Sequence, residues 1–271
     1  VTRFEDEHKH PMNIDSMTAD DLRVFADFLS SDYDISMNTI VTNMTLMRTV
    51  CNWVRKQGVT NNDPFFGYDM PKALYGTPYF LTIQERDQVL DADLTDDAEL
   101  AEYRDMFVFQ CMVGCRHSDL VTFTPKNIID GVLEYIPIKT KGKLGDVVRV
   151  PLIPKAMAIL DGHDHGDDEP IFPKHYNFKF NDAIRRILKR AKVNRVVTVI
   201  NPKTRLEEKK PISDVATSHL ARRTFIGNLY RMVKDPDLVA SMSGHAKGSV
   251  AFARYRVIDD DMKKSLVELI Q

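Results

Sequence analysis

Apolar residues recur at helical spacing along most of the chain. Thr18-Ala19-Asp20-Asp21 offers a capping oxygen and acids where a helix begins. Leu22, Phe25, Phe28 and Leu29 then share one face. A second helix is predicted from Ser36, with Ile40, Met44, Met47, Cys51 and Val54 as its apolar stripe and Gly58 as its stop. Residues 1–15 show no clear period. From Asn61 to Pro78, Gly and Pro occur without periodicity, which reads as a linker. Residues 1–77 are therefore expected to form a helical domain, short of helices at its N-terminal side, and residues 78–271 a second domain.

Thr82-Ile83-Gln84-Glu85 has the capping-box pattern and opens that second domain. A long helix is predicted from Thr95 to Val113, ending at Gly114. Val132–Ile138 and Val147–Leu152 read as two strands around a turn rich in Lys and Gly. Asn181 to Val193 reads as a basic helix. Ser218 is placed as the cap of a helix over His219–Val233, and Asp235-Pro236 starts a short helix stopped by Gly244. Further helices are expected over Ser249–Ile258 and, as an amphipathic tail, Asp261–Gln271. The fold class is mostly α with a small antiparallel β-sheet (α+β).

Composition adds little until it is divided. With 271 residues, 37 Lys plus Arg and 39 Asp plus Glu, the net charge is -2, which alone ranks nucleic acid low as a partner. Yet residues 1–130 carry 11 basic and 22 acidic side chains, and residues 131–271 carry 26 and 17. Such asymmetry hints at a surface that faces a polyanion. No apolar run approaches the roughly 18 residues of a membrane span. The polar start does not read as a secretion signal, and with no Met there a fragment or a processed chain is the expectation. Three cysteines make no disulfide scaffold and fit a reducing cytoplasm.

Five places can carry chemistry: Arg116 just past a helix end; Lys139, Lys141 and Lys143 in the strand turn; His219 and Arg222 three apart on one helix; His245 after Gly244; and Tyr255 in Phe252-Ala253-Arg254-Tyr255. Singly, each is ordinary. In this order, over residues 79–260, they resemble the signature of the tyrosine recombinases, the family of phage and conjugative-transposon integrases. Residues 18–58 resemble that family's core-binding domain.

The resemblance implies a site-specific recombinase that cleaves and rejoins DNA through a 3′-phosphotyrosyl link. Tyr255 would be the nucleophile. Arg116 and Arg222 would grip phosphate oxygens with their planar forks. Lys139 or Lys141 would protonate the leaving oxygen, with Lys139 preferred. His219 would take or relay the nucleophile's proton and His245 would bond the phosphate or orient the tyrosine. Asp119, where the family often has Glu, would buttress Arg116 or His219. Asn43, Arg48, Lys56, Arg186 and Lys189 are expected to contact DNA. No metal or other cofactor is expected, and no phosphate-cradling Gly-rich loop occurs. The implied partners are duplex DNA at a recombination site and a homotetramer docked through residues 261–271, with room for accessory DNA-bending proteins. The implied location is the bacterial cytoplasm, on the nucleoid. A type IB topoisomerase-like enzyme and a catalytically silent DNA-binding module are the alternatives. The His163–His165 stretch mimics a metal site but reads better as an exposed acidic loop, and Cys111 with Cys115 as core packing.

Overall fold

The computed structural model describes residues 1–31, 35–140, 147–163, 166–233, 235–245 and Val267. The chain forms two compact units, Val1–Gly76 with Thr198–Glu208 and Thr77–Val197 with Lys209–Gln271.

The first unit holds α1 (Thr2–His8), α2 (Ala19–Ser31) and α3 (Met37–Lys56). Thr18 and Asp21 cap each other at the start of α2: Asp21 Oδ2 accepts from Thr18 N (2.8 Å) and Thr18 Oγ1 from Asp21 N (3.3 Å). Ser36 Oγ accepts from Thr39 N (3.3 Å) at the start of α3. The core gathers Leu22, Phe25, Phe28, Ile40 and Met44, with Phe4 of α1. Helix α1 escapes a periodicity reading because Phe4 is its only buried residue. That ring packs edge-on against Phe25 and Phe28, at 5.2 and 5.3 Å between centroids. The stretch from Asn61, expected as linker, is partly built into this unit. Asn62 Nδ2 donates to the carbonyls of Ile14 (2.9 Å) and Met17 (2.8 Å), and Phe65 lies in the core.

The second unit begins with α4 (Ile83–Leu90), closed by the expected capping box between Thr82 and Glu85, and α5 (Ala98–Val113). Every residue of α5 from Met106 to Val113 is buried. It is the central helix, and α4, α7 (Pro154–Asp161), α8 (Asn177–Arg190) and α10 (Ser218–Val233) pack on it. After it come α6 (His117–Leu120) and an antiparallel sheet of β1 (Ile128–Ile129), β2 (Val132–Tyr135) and β3 (Val148–Pro151). Leu133 faces Val150 and Tyr135 faces Val148, and all four are buried. Strand β2 stops at Tyr135, short of the expected Ile138. Pro137 follows, and residues 138–140 form a 3₁₀ turn instead. A hairpin of β4 (Val196–Ile200) and β5 (Glu207–Pro211), which the sequence reading passed over and whose residues Thr198–Glu208 belong to the first unit, precedes α9 (Ile212–Val215) and α10. Helix α11 (Pro236–Ser243) starts on Asp235, whose Oδ1 accepts from Asp237 and Leu238 amides, and ends at Gly244.

Three helix starts differ from expectation. Helix α5 begins at Ala98, three residues after the expected Thr95, because Asp97 caps it with a side-chain oxygen that accepts from Leu100 N (3.0 Å). Helix α8 begins at Asn177, four residues early, with no capping side chain to mark it. Ser218 is the first residue of α10 rather than its cap; its amide donates to Asn181 Oδ1 of α8 (2.8 Å), so a neighbouring helix supplies the capping oxygen.

Candidate active site

The site is built on the end of α5. Gly114 adopts φ 69°, where a side chain is strained, and a Cβ there would lie 2.2 Å from the Phe225 ring. The Gln110 carbonyl accepts from Gly114 N (2.9 Å), and Gln110 Nε2 donates to the Cys115 carbonyl (3.0 Å). This tightly held turn delivers Arg116, in extended conformation, to the start of α6. Arg116 Nη1 is buried and has no hydrogen-bond partner among the described residues.

Arg222 comes from α10, one turn after His219. It is only 2% exposed. Its Nη1 donates to the Gly114 carbonyl (2.7 Å), and its Nη2 lies 3.0 and 3.1 Å from Nδ1 and Nε2 of His245. The guanidinium thus ties the end of α5 to the end of α11. His245 sits one residue past Gly244, whose φ of 63° turns the chain out of α11.

Lys139 lies exposed on the 3₁₀ turn after β2. The amide of the preceding residue, Ile138, donates to Asp119 Oδ1 (2.9 Å), and Asp119 is 1% exposed. Asp119 was expected to brace Arg116 or His219. Its hydrogen bond goes instead to the backbone of the Lys139 turn, which links α6 to that lysine.

The electrostatics follow from this convergence of cations. His219 keeps a solvent-exposed edge but is crowded by protein. Desolvation first, then the charges of Arg223, Arg222, Arg116 and Lys139, lower its pKa from 6.5 to about 4. Desolvation, then Arg222, Arg116, His219 and Lys139, lower that of His245 to about 3. Both imidazoles are therefore neutral at physiological pH. They sit among fixed positive charge, with one guanidinium nitrogen buried and unpaired: a setting that favours an anion with several oxygens.

Of the residues expected from sequence, Arg116, Lys139, His219, Arg222 and His245 converge here, with Asp119 behind them. Tyr255, Lys141 and the tail 261–271 lie outside the described residues, apart from exposed Val267. Asn43, Arg48 and Lys56 are exposed on α3 in the first unit. They do not form one face: at about 100° per residue, Asn43 and Arg48 stand about 140° apart around the helix. Arg186 and Lys189 are exposed on α8, but each meets a carboxylate. Arg186 Nη2 lies 2.8 Å from Asp97, and Lys189 Nζ 2.8 Å from Asp214. Among the described residues no His, Cys, Asp and Glu group could hold a metal. His163 faces Asp105 at 3.5 Å, and Cys111 and Cys115 are buried free thiols whose pKa burial drives up.

Sequence reasoning missed the strap formed by residues 79–81. Thr224 Oγ1 accepts from Leu81 N (3.0 Å), Asn228 Nδ2 donates to the Leu81 carbonyl (2.9 Å), and Gly227 leaves room for the Phe80 ring. Tyr79 donates to the Val215 carbonyl (3.0 Å), and Arg223 stacks over its ring at 5.2 Å. The signal available was Thr224, Gly227 and Asn228 at helical spacing, small or polar positions on an otherwise apolar face of α10.

A family model described as the phage integrase family matches residues 79–262, more than half of the chain. The chain belongs to the phage integrase family. Its members are tyrosine recombinases, and the matched segment contains the whole cluster and Tyr255. No curated protein sequence matches. Solved structures of phage integrase family recombinases share the fold. The Tn1549 transposon integrase in complex with a circular intermediate DNA superimposes with a TM-score of 0.70 at 15% identity, covering 100% of this chain and 92% of that one. A lambda integrase dimer bound to a COC′ core site gives 0.65 at 13%, covering 93% and 83%. The XerH site-specific recombinase bound to difH gives 0.63 at 15%, covering 100% and 76%. No helix among the described residues is long and apolar enough to cross a membrane.

Proposed function

We propose that this family member is a site-specific DNA recombinase that integrates or excises a mobile element through a 3′-phosphotyrosyl intermediate. The observation that carries the reading is the paired arginines. Arg222 is locked by the Gly114 carbonyl and His245, while Arg116 leaves a buried guanidinium nitrogen unpaired. A scissile phosphate supplies the oxygen that Arg116 Nη1 lacks. Tyr255 attacks the phosphorus, its phenolic proton passes to neutral His219, and the 5′ oxygen leaves with a proton from Lys139. The phosphodiester energy is kept in the phosphotyrosyl bond, so neither ATP nor a metal ion is required. A 5′-hydroxyl from a partner strand then reverses the step. That the similar integrases were solved on DNA supports duplex DNA as the substrate. A tetramer assembled through residues 261–271 completes the proposal.

A nicked half-site that loses its leaving strand tests it. Wild-type protein should form a denaturation-resistant protein–DNA adduct in excess EDTA, and Tyr255→Phe should form none. An adduct formed by Tyr255→Phe, or one abolished by the chelator, would overturn the reading. Normal cutting by Lys139→Ala together with failure of Lys141→Ala would move the acid to Lys141.

A further inference from the structure

The start of α8 is held from three sides. His175 Nδ1 lies 2.9 Å from the hydroxyl of Tyr103 on α5. Asn177 and Asn181 meet Ser218, the neighbour of His219: Asn177 Oδ1 accepts from Ser218 Oγ (3.3 Å) and Asn181 Oδ1 from Ser218 N (2.8 Å). Phe180 is fully buried, and its ring stacks on that of His117, the neighbour of Arg116, at 5.0 Å between centroids. The backbone of residues 175–181 is thereby fixed beside the turn that delivers Arg116 and the helix start that delivers His219.

What this fixed turn presents to solvent is apolar and cationic. Tyr176 is 74% exposed and Phe178 68% exposed. Their ring centroids lie 6.0 Å apart and the ring planes differ by 23°, so the two rings stack into one aromatic surface. Rings left in water add little to the fold, whereas adjacent exposed aromatics suit a surface that another molecule covers. Lys174 and Lys179 flank them, and both are exposed. Neither forms an ion pair among the described residues, unlike the cations later in α8. The first turn of α8 holds no acid, although acids are what the helix dipole favours there. The patch therefore suits a polyanion that also carries apolar groups. Duplex DNA has both, in its phosphates and in the thymine C5 methyls of the major groove. A second copy of the chain, docked through the same patch on both molecules, would set lysine against lysine.

We infer that Tyr176 and Phe178 read thymine methyl groups in the groove beside the scissile phosphate, with Lys174 and Lys179 on the adjoining phosphates. This surface deepens the recombinase reading and depends on it for the DNA. It supplies sequence preference, which phosphate contacts alone do not carry. The rings touch the groove and not the reacting atoms, so they act on specificity. Because their turn is braced against the neighbours of Arg116 and His219, the methyls they meet set which phosphate enters the arginine–histidine cluster.

The full chain is titrated with a half-site duplex and with the same duplex carrying uracil in place of every thymine, a change that removes only the C5 methyls. Wild type should bind the uracil duplex at least about fourfold more weakly, the worth of one buried methyl. The double variant Tyr176→Ala with Phe178→Ala should bind both duplexes equally, with an unchanged urea midpoint because both rings are exposed. Lys174→Gln with Lys179→Gln should keep the thymine preference and lower the slope of log affinity against log salt by about 1.8. A thymine preference that survives in the aromatic double variant, or none in wild type, overturns the inference. So does an aromatic double variant that binds DNA as wild type does but changes the sedimentation of the free protein, which would make a second copy the occupant. A wild type that prefers thymine yet forms no covalent adduct on the nicked half-site would sink the recombinase reading and leave the thymine-reading surface standing.

Discussion

At the residue scale, the site combines one arginine used as a strut with one held open. Arg222 is nearly inaccessible and hydrogen-bonded to a backbone carbonyl. Lysine has a single ammonium and cannot reach the Gly114 carbonyl and His245 along two directions at once. Arg222→Lys should therefore lose about 100- to 1,000-fold in single-turnover cleavage, the scale seen when one preorganised donor is removed. A loss below tenfold would show that charge alone suffices. The histidines give a pH signature. Their folded pKa values, about 4 for His219 and about 3 for His245, lie below the unfolded value of 6.5. On acidification the unfolded chain takes up these protons first. Stability is thus unaffected by them above about pH 6.5 and falls as the pH drops through the window towards 4 and 3. Urea titrations across that window should show a shallower decline for His245→Gln than for wild type; parallel curves would mean that His245 is not held neutral.

At the element scale, the turn from α5 into α6 is the part least able to change. Gly114→Ala places a Cβ at positive φ and drives it into Phe225. About 1 kcal/mol of backbone strain and 1–3 kcal/mol of overpacking are expected, together with loss of the carbonyl position that anchors Arg222. Chemical denaturation should report a destabilisation of at least about 2 kcal/mol, with cleavage falling further than stability alone explains. A fully stable Gly114→Ala would mean that Phe225 moves aside. The same turn shows what a sequence can reveal. Gly114 after a long apolar helix, the Thr82–Glu85 box and Asp235 before α11 are local signals written in adjacent residues, and each is where it was read. The convergence of Arg116, Lys139, His219, Arg222 and His245 was legible only through order and spacing along the chain. What was not legible depends on distant partners. Asn181 capping α10, Asn62 bonding back to Ile14, and the Leu81 strap on Thr224 join residues 37 to 147 positions apart. Helix α1, with one buried residue, leaves no repeat to detect.

At the scale of the whole molecule, the question is which cations are available to a polyanion. The sequence puts the excess of positive charge after residue 130, and helix α8 looks like its centre. In the fold, however, Arg186 meets Asp97, Arg190 meets Asp96 and Lys189 meets Asp214, while Arg185 reaches Asp182 on its own helix. Two of these acids, Asp96 and Asp97, lie just before α5, in the half of the chain that looked unfit for DNA. They neutralise α8 locally because α8 packs on α5 and brings its flanks to that acidic turn. The arginine–histidine cluster is different: Arg222 is committed to a carbonyl and an imidazole, and no ion pair to a carboxylate involves Arg116 or Lys139 among the described residues. Each phosphate contact that releases condensed counterions contributes about 0.9 to the slope of log affinity against log salt. Replacing Arg186 and Lys189 together by Gln should then change that slope by less than about 0.5 and cost no more than about 1–2 kcal/mol of stability, the scale of two exposed ion pairs. Replacing Arg223 and Lys139 by Gln should lower the slope by well over 1 if both face the phosphates beside His219. DNA titrations at several salt concentrations separate these outcomes. A slope reduced by about 1.8 in the α8 double variant would show that DNA draws those side chains away from Asp97 and Asp214, and that the basic helix, rather than the arginine cluster, is the main electrostatic grip.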